Sequence, residues 1–309
     1  MASPTTSLGA RVFRPNSAEP ALALLGRILS LLVTWAPVVV VLTAVLLAIV
    51  GPLLDGVEPF RQHLIQRNKG PSDAFPLGTD HLGRDVLSRL IYGARASLLA
   101  ALGGVTLAFL LGGIGGLAAS AARGPAEVGF FALIDLLRAM PGVLTAMLLV
   151  VALGAGLGPV TLALGLTFAP VFAHVGRATW RREMAMEYVT AARGYGVTEA
   201  RLLTRHVAPN LIGAFVTQGA IILPRCIVTE SVLSFIGLGV EPDAPTWGRM
   251  IAQAARFIER NPGAALAPVV TLALVTLSLA ILGDRLRRRL DPLRQRKAPP
   301  VIPGRRTAA

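Results

Sequence analysis

Of the 309 residues 53% are hydrophobic and only 15% charged, where a soluble domain carries about 25%, so the composition excludes an ordinary water-soluble domain. The net charge of +13 would suit a nucleic-acid partner, but the basic residues cluster at the ends of apolar stretches instead of on one soluble face, which argues against that class. A single cysteine, Cys226, excludes an internal disulfide or a multi-cysteine metal site, and four scattered histidines (His63, His81, His174, His206) make no ligand cluster.

Residues 1–27 read as a Pro/Ser/Ala-rich tail with little expected order. No ionised residue lies between Arg27 and Asp55. A bilayer core of ~30 Å is crossed by roughly 20 helical residues at ~1.5 Å each, which places a first membrane helix at about Ile28–Leu54, too long for a cleaved signal. A segment of mixed charge follows to Arg95. The second helix, about Ser97–Ala121, carries Gly103-Gly104 and Gly112-Gly113-Ile114-Gly115-Gly116. Small residues let membrane helices approach closely, so this stripe predicts tight packing; no Lys-Ser/Thr follows it, so it is no phosphate loop.

The third helix is expected from near Val128, with Asp135 and Arg138 at one end. The run free of charge from Arg138 to Arg177 is long enough for two spans, and Gly154–Pro159 breaks it. The fourth helix therefore covers about Val160–Val175, a fifth about Asn210–Val240, and a sixth about Ala264–Leu282 before the basic tail. The reading is all-α, a polytopic membrane protein with six transmembrane helices, divided as 1–27 tail, 28–95 first helix with its outer segment, 96–285 core and 286–309 basic tail. With both termini cytoplasmic, 20 of the 30 Lys and Arg fall inside and 9 outside, as the positive-inside rule asks.

Between helices four and five, Glu183–Arg193 suits a short helix, Gly194 and Gly196 terminate it, Thr198 caps a second, and Pro209 ends that one, leaving Asn210 to cap the next span. The product is a helical elbow over 183–209. Inside helix five, Arg225 and Glu230 are conspicuous. A charge in mid-bilayer costs roughly 2.5–3.5 kcal/mol on insertion scales and normally faces a cavity or a partner. They either line a path, pair across an interface, or snorkel.

Thr190-Ala191-Ala192, Gly196 and Pro209 resemble the signature of permeases of ATP-binding-cassette (ABC) importers: Glu-Ala-Ala, a glycine four residues later and a proline thirteen beyond that. Thr190 departs from the usual glutamate. Leu77–Arg95, with Gly78, Thr79, Asp80, Gly83, Arg84 and Asp85, resembles the external motif of the second permease of dipeptide, oligopeptide and nickel importers. Arg205–Asn210, Glu230–Gly239, Pro245–Gly248 and Leu282–Asp284 extend that similarity. It implies the type I importer-permease fold, bacterial inner-membrane location and a non-enzymatic role in peptide transport, with a nickel importer as the alternative substrate class. The elbow would then be a coupling helix whose Glu187, Thr190, Ala191, Ala192, Arg193, Gly196 and Pro209 meet a separate ATPase. The resemblance also implies a second homologous permease, two ATPase subunits that use ATP and magnesium, and an extracytoplasmic binding protein; this chain binds no cofactor itself. It has no Gly-x-x-x-x-Gly-Lys-Ser/Thr.

From the residues alone, the external block is either an amphipathic lead into helix two, with Asp80 and Asp85 paired locally to Arg84 or Arg89, or a docking surface. An ion-driven secondary transporter would need midplane carboxylates in matching repeats, which Glu230 alone does not supply. An intramembrane enzyme would need a nucleophile–base pair or metal ligands, for which the spans offer almost no candidates.

Overall fold

The computed structural model describes residues 19–53, 58–240 and 243–290. Among them every regular element is helical, with only two isolated bridges, Ser72 to Phe75 and Thr79 to Asp85. Helix α1 runs Glu19–Val50, so part of the expected tail is helical, and its apolar span is Thr34–Leu53. Helix α2, Val86–Ala108, passes through a π-turn at Phe109–Ile114 into α3, Gly115–Ala122, giving one span of 37 residues. It begins eleven residues before the expected Ser97, because Asp85 caps it: its carboxylate accepts the Leu87 and Ser88 amides at 3.2 and 2.9 Å. Further full spans are α6, Leu157–Met184; α9, Ala208–Phe235; and α11, Pro262–Leu290.

The third span differs from expectation. In place of one helix there are two, α4, Gly124–Arg138, and α5, Gly142–Leu153, bent by 93° at a break before Gly142. Pro141 stands at the N-cap of α5, where its missing N–H is harmless and its ring cannot continue α4. Helix α4 is strapped to α6: Glu127 accepts from Arg177 and Arg181 at 2.7 and 2.8 Å, Asp135 meets His174 at 3.0 Å, and Arg177 lies over the Phe131 ring. Counting the bent pair as one gives the six spans.

The core is built from small residues. Ala100, Ala101, Ala108, Ala163, Ala169 and Ala173 are almost wholly buried. The glycine stripe of α2 and α3 meets α6 where a side chain would not fit: a Cβ on Gly112 would stand 2.0 Å from the Ala169 carbonyl oxygen, and one on Gly116 2.9 Å from the Ala173 backbone. Phe109, in the π-turn, stacks edge-on against Phe172 of α6 and Phe215 of α9, and Cys226 is buried in the same cluster. The outward faces stay apolar, with Leu42, Ile49, Leu148 and Val151 exposed; hydrocarbon is the solvent that accepts them.

One helix lies outside every sequence expectation. Helix α10, Trp247–Ala255, capped by the Thr246 hydroxyl accepting the Arg249 amide, packs against α11 and α9 and touches α2. Trp247 is fully buried, its indole N–H donating to the Leu90 carbonyl at 3.2 Å. Gly112→Val is predicted to destabilise the detergent-solubilised protein by at least about 1–3 kcal/mol, the overpacking range, because the obstacle is backbone; thermal unfolding measures it, and an unchanged midpoint would refute the close-approach account.

Candidate functional site

The elbow is held from inside and presented outward. Helix α7 spans Glu187–Gly194, α8 Glu199–Leu202, and a π-turn at Leu203–Val207 leads directly into α9. Val189, Leu202 and Val207 are fully buried, and Ala192 and Val197 pack on the same cluster. The opposite face carries Glu187, Thr190, Ala191, Arg193 and Gly196, all exposed, and Tyr195 at 89% exposure. Gly194 and Gly196 terminate α7 as expected: Gly196 adopts φ +76°, its amide donates to Arg193 O at 3.0 Å, and Val197 N–H reaches Ala192 O at 3.1 Å. That pairing is a Schellman closure, which needs the left-handed residue glycine tolerates best.

Two expectations change here. Pro209 does not end the second elbow helix; it lies in the first turn of α9, where a missing N–H breaks nothing. Asn210 is no cap. Its side-chain amide donates to Glu183 Oε2 at 3.2 Å and to the Tyr188 hydroxyl at 3.4 Å. Glu183, at the end of α6, is buried and also accepts from Tyr188 Oη at 2.9 Å and Arg182 at 3.0 Å. One carboxylate thus fastens α6, α7 and α9 together. Burial, then the adjacent Glu183, holds the Tyr188 phenol above its ordinary pKa, so it remains a donor.

At the other end of the helices, the block 77–95 is a buried latch. Asp80 accepts the amides of Leu82 and Arg84 at 2.8 and 2.9 Å and the Arg84 Nε at 2.7 Å, with Arg89 Nε at 3.5 Å. Arg84 and Arg89 both donate to Gln253 of α10 at 3.2 Å. Thr79 is buried; its hydroxyl donates to the Gln66 carbonyl and accepts the Lys69 amide, while Asn261 donates to the carbonyls of Thr79 and Lys69 at 3.0 Å. Gly78 contributes backbone bonds to Phe75 and Val86. Gly83, at φ +74°, leaves only 2.0 Å between a notional Cβ and the His63 carbonyl. The sequence suggested weak local ion pairs for both aspartates. Asp80 forms a buried one that joins the loop to α2, and Asp85 forms none, serving as the α2 cap.

Arg225 and Glu230 part company. Glu230 is fully buried, accepting from Ser234 at 2.6 Å and contacted by Ser231 and by Ser97 of α2. Ser97 in turn accepts the Trp247 amide at 3.4 Å. This places Glu230 within the subunit, tying α9 to α2 and the start of α10, and away from the surfaces where a path or permease interface would form. Arg225 is exposed on α9 and borders an open cavity. No ion pair joins the two. Among the described residues no group of three or more His, Cys, Asp or Glu is placed to hold a metal.

A multi-pass helical bundle with a short, sharply turned polar segment anchored on one face and bare on the other is the architecture of a membrane transport permease. Residues 112–296 match the family described as binding-protein-dependent transport system inner membrane component, and the chain belongs to it. It is 37% identical over 241 residues, 77% of this chain and 80% of the relative, to a di/tripeptide transport system permease protein, DppC, of Pseudomonas aeruginosa. It is 34% identical over 247 residues, 80% and 77%, to the dipeptide permease DppC of Bacillus subtilis, and 35% identical over 225 residues, 73% and 75%, to the glutathione transport permease GsiD of Pectobacterium atrosepticum. Inward-facing MetNI methionine ABC transporter superposes with a TM-score of 0.56 at 18% identity, covering 66% of this chain and 97% of that one. The fold is that of ABC-importer permeases.

Asp80→Asn is predicted to lower stability by about 3–5 kcal/mol, the range for stranding buried charge partners, read by denaturant titration in detergent; a loss below about 1 kcal/mol would place the pair among exposed bridges. His81 offers a pH test. It stacks on Phe257 at 5.5 Å, and burial holds its imidazole below 6.5, Asp80 opposing and Arg84, Arg89 and Arg67 reinforcing. The unfolded chain therefore binds the proton first, and stability falls as pH drops below about 6.5 toward the lower native value. Hydrogen exchange across 63–85 is predicted to quicken between pH 7.5 and 5.5, and His81→Phe, which keeps the stack, to remove that acid sensitivity.

Proposed function

We propose that this chain is one of two homologous permease subunits of an ATP-driven importer of di- and oligopeptides. The observation that carries the reading is the elbow: a base anchored by Val189, Leu202 and Val207 and an outward face of small or polar residues around Ala191. Small residues let a partner's side chains come up to the backbone, so this face suits a groove on a separate ATPase. Relatives named as dipeptide and di/tripeptide permeases support the substrate class. The basic excess on the elbow side supports a bacterial inner-membrane protein with both termini and the elbow in the cytoplasm. An extracytoplasmic binding protein delivers peptide at the opposite face, and the partner ATPases use ATP and magnesium.

In this reading the ATPases close on ATP and displace the elbow as a rigid body. Glu183, held by Tyr188 and Asn210, passes the displacement to α6 and α9 together, and the helices rock to alternate access. Thr190, in place of the usual glutamate, has no charge to offer a salt bridge, while the small residues Ala191 and Ala192 leave the close contact open.

Ala191→Trp is predicted to insert normally into the membrane, to co-purify poorly with the ATPase and to lose uptake by about tenfold or more, the scale of a central interface residue. Gly196→Val is predicted to do the same through strain at its positive φ. Wild-type uptake by the Ala191→Trp protein would defeat the coupling assignment.

A further inference from the structure

Between α5, α6, α9 and α11 lies an open cavity of about 970 Å³, inside the size range of small-ligand sites. Phe168, Ile221, Val228 and Leu277 give it an apolar wall. Into that wall α9 sets one charged group, Arg225, whose guanidinium is exposed and meets no hydrogen-bond or ion-pair partner among the described residues. Arg225 stands ten residues from the nearer end of α9, Phe235, about 15 Å along the axis, well inside the span. The other ionised lining groups are Asp284 and Arg287, at the elbow-side mouth, and Asp284 is already paired with Arg288. Gly142 and Val143, the first residues of α5, line the same space, and no side chain caps that helix. Its free amides add positive partial charge.

A guanidinium is a planar fork of donors that fits a carboxylate in two parallel bonds. In apolar surroundings its charge calls for a counter-charge, and here it faces a hollow instead of a packed neighbour. We propose that Arg225 is a carboxylate-binding station on the translocation path, holding the α-carboxylate that ends every linear free-acid peptide. This rests on the peptide-import reading above and narrows it to substrates with a free C-terminus. Glu230, five residues on, takes no part, since it is enclosed by serines within the subunit.

The test uses the complete importer in liposomes: this chain, its partner permease, the ATPases and the binding protein. ATP-dependent uptake is measured for a labelled tripeptide and for its C-terminal amide. Arg225→Ala is expected to slow uptake of the free acid by about tenfold or more while leaving the amide rate and basal ATP hydrolysis unchanged, so that the preference for the acid collapses. Arg225→Lys, which keeps the charge but not the two-pronged geometry, is expected to retain only part of the preference. Equal loss for acid and amide, free-acid uptake at the wild-type rate, or failure of the Arg225→Ala chain to co-purify with the partner permease would each overturn the assignment, the last by making Arg225 an intersubunit contact. An assembled wild-type importer that hydrolyses ATP yet carries no peptide would remove the peptide reading and this proposal with it. That result is distinguishable because it arises without any change at Arg225.

Discussion

Lipid tails are as apolar as leucine, so membrane helices gain little from leaving them and must be held by contact. In this chain that contact is the close approach of α2 and α3 to α6, where Gly112 and Gly116 bring backbone against backbone at Ala169 and Ala173. The π-turn at Phe109–Ile114 falls within this seam, and an inserted residue there re-aims the helix so that Phe109 meets both Phe172 and Phe215. The buried carboxylate ties stand around that close-packed centre.

Polar ties lock the two ends and one inner level. On the elbow side Glu183 joins α6, α7 and α9. At the far end Asp80, Arg84 and Arg89 join the loop to α2 and, through Gln253, to α10. Near that end of the bundle Glu230 and its serines join α9 to α2, with Trp247 entering through Ser97. Each tie uses a carboxylate that accepts several donors, the arrangement that makes burial of such a group tolerable. The same helix, α9, takes part in two of them, so motion at one end cannot remain local.

The spans were legible because a gap in charge twenty or more residues long has few other meanings. The elbow was legible because glycine and proline punctuate it, and the Schellman closure at Gly196 is where the pattern placed the turn. What escaped was set by distance. Gln253 lies 169 residues from Arg84, and Asn210 lies 27 from Glu183; nothing local marks either as a partner. Asp85 had two available roles, and the choice between ion pair and cap depends on where α2 begins, which charge counting placed at Ser97. The break at Pro141 was hidden for a related reason. Absence of charge reports what a segment dissolves in and says nothing of its direction. Helix α10 does carry a helical apolar face, Trp247, Met250 and Ala254, but nine residues are too short to cross a bilayer, so counting charge-free gaps passes over it.

The length of α6 has a geometric result. Its apolar stretch gives way near Val175, yet the helix continues to Met184, nine more residues or about 14 Å of axial rise. The headgroup layer on one side of a bilayer is only about 5–8 Å deep. With α6 along the bilayer normal and the hydrocarbon ending near Val175, the bend at α7 stands beyond the headgroup layer. Whatever large body seats itself there meets protein alone and has no phospholipid to push aside.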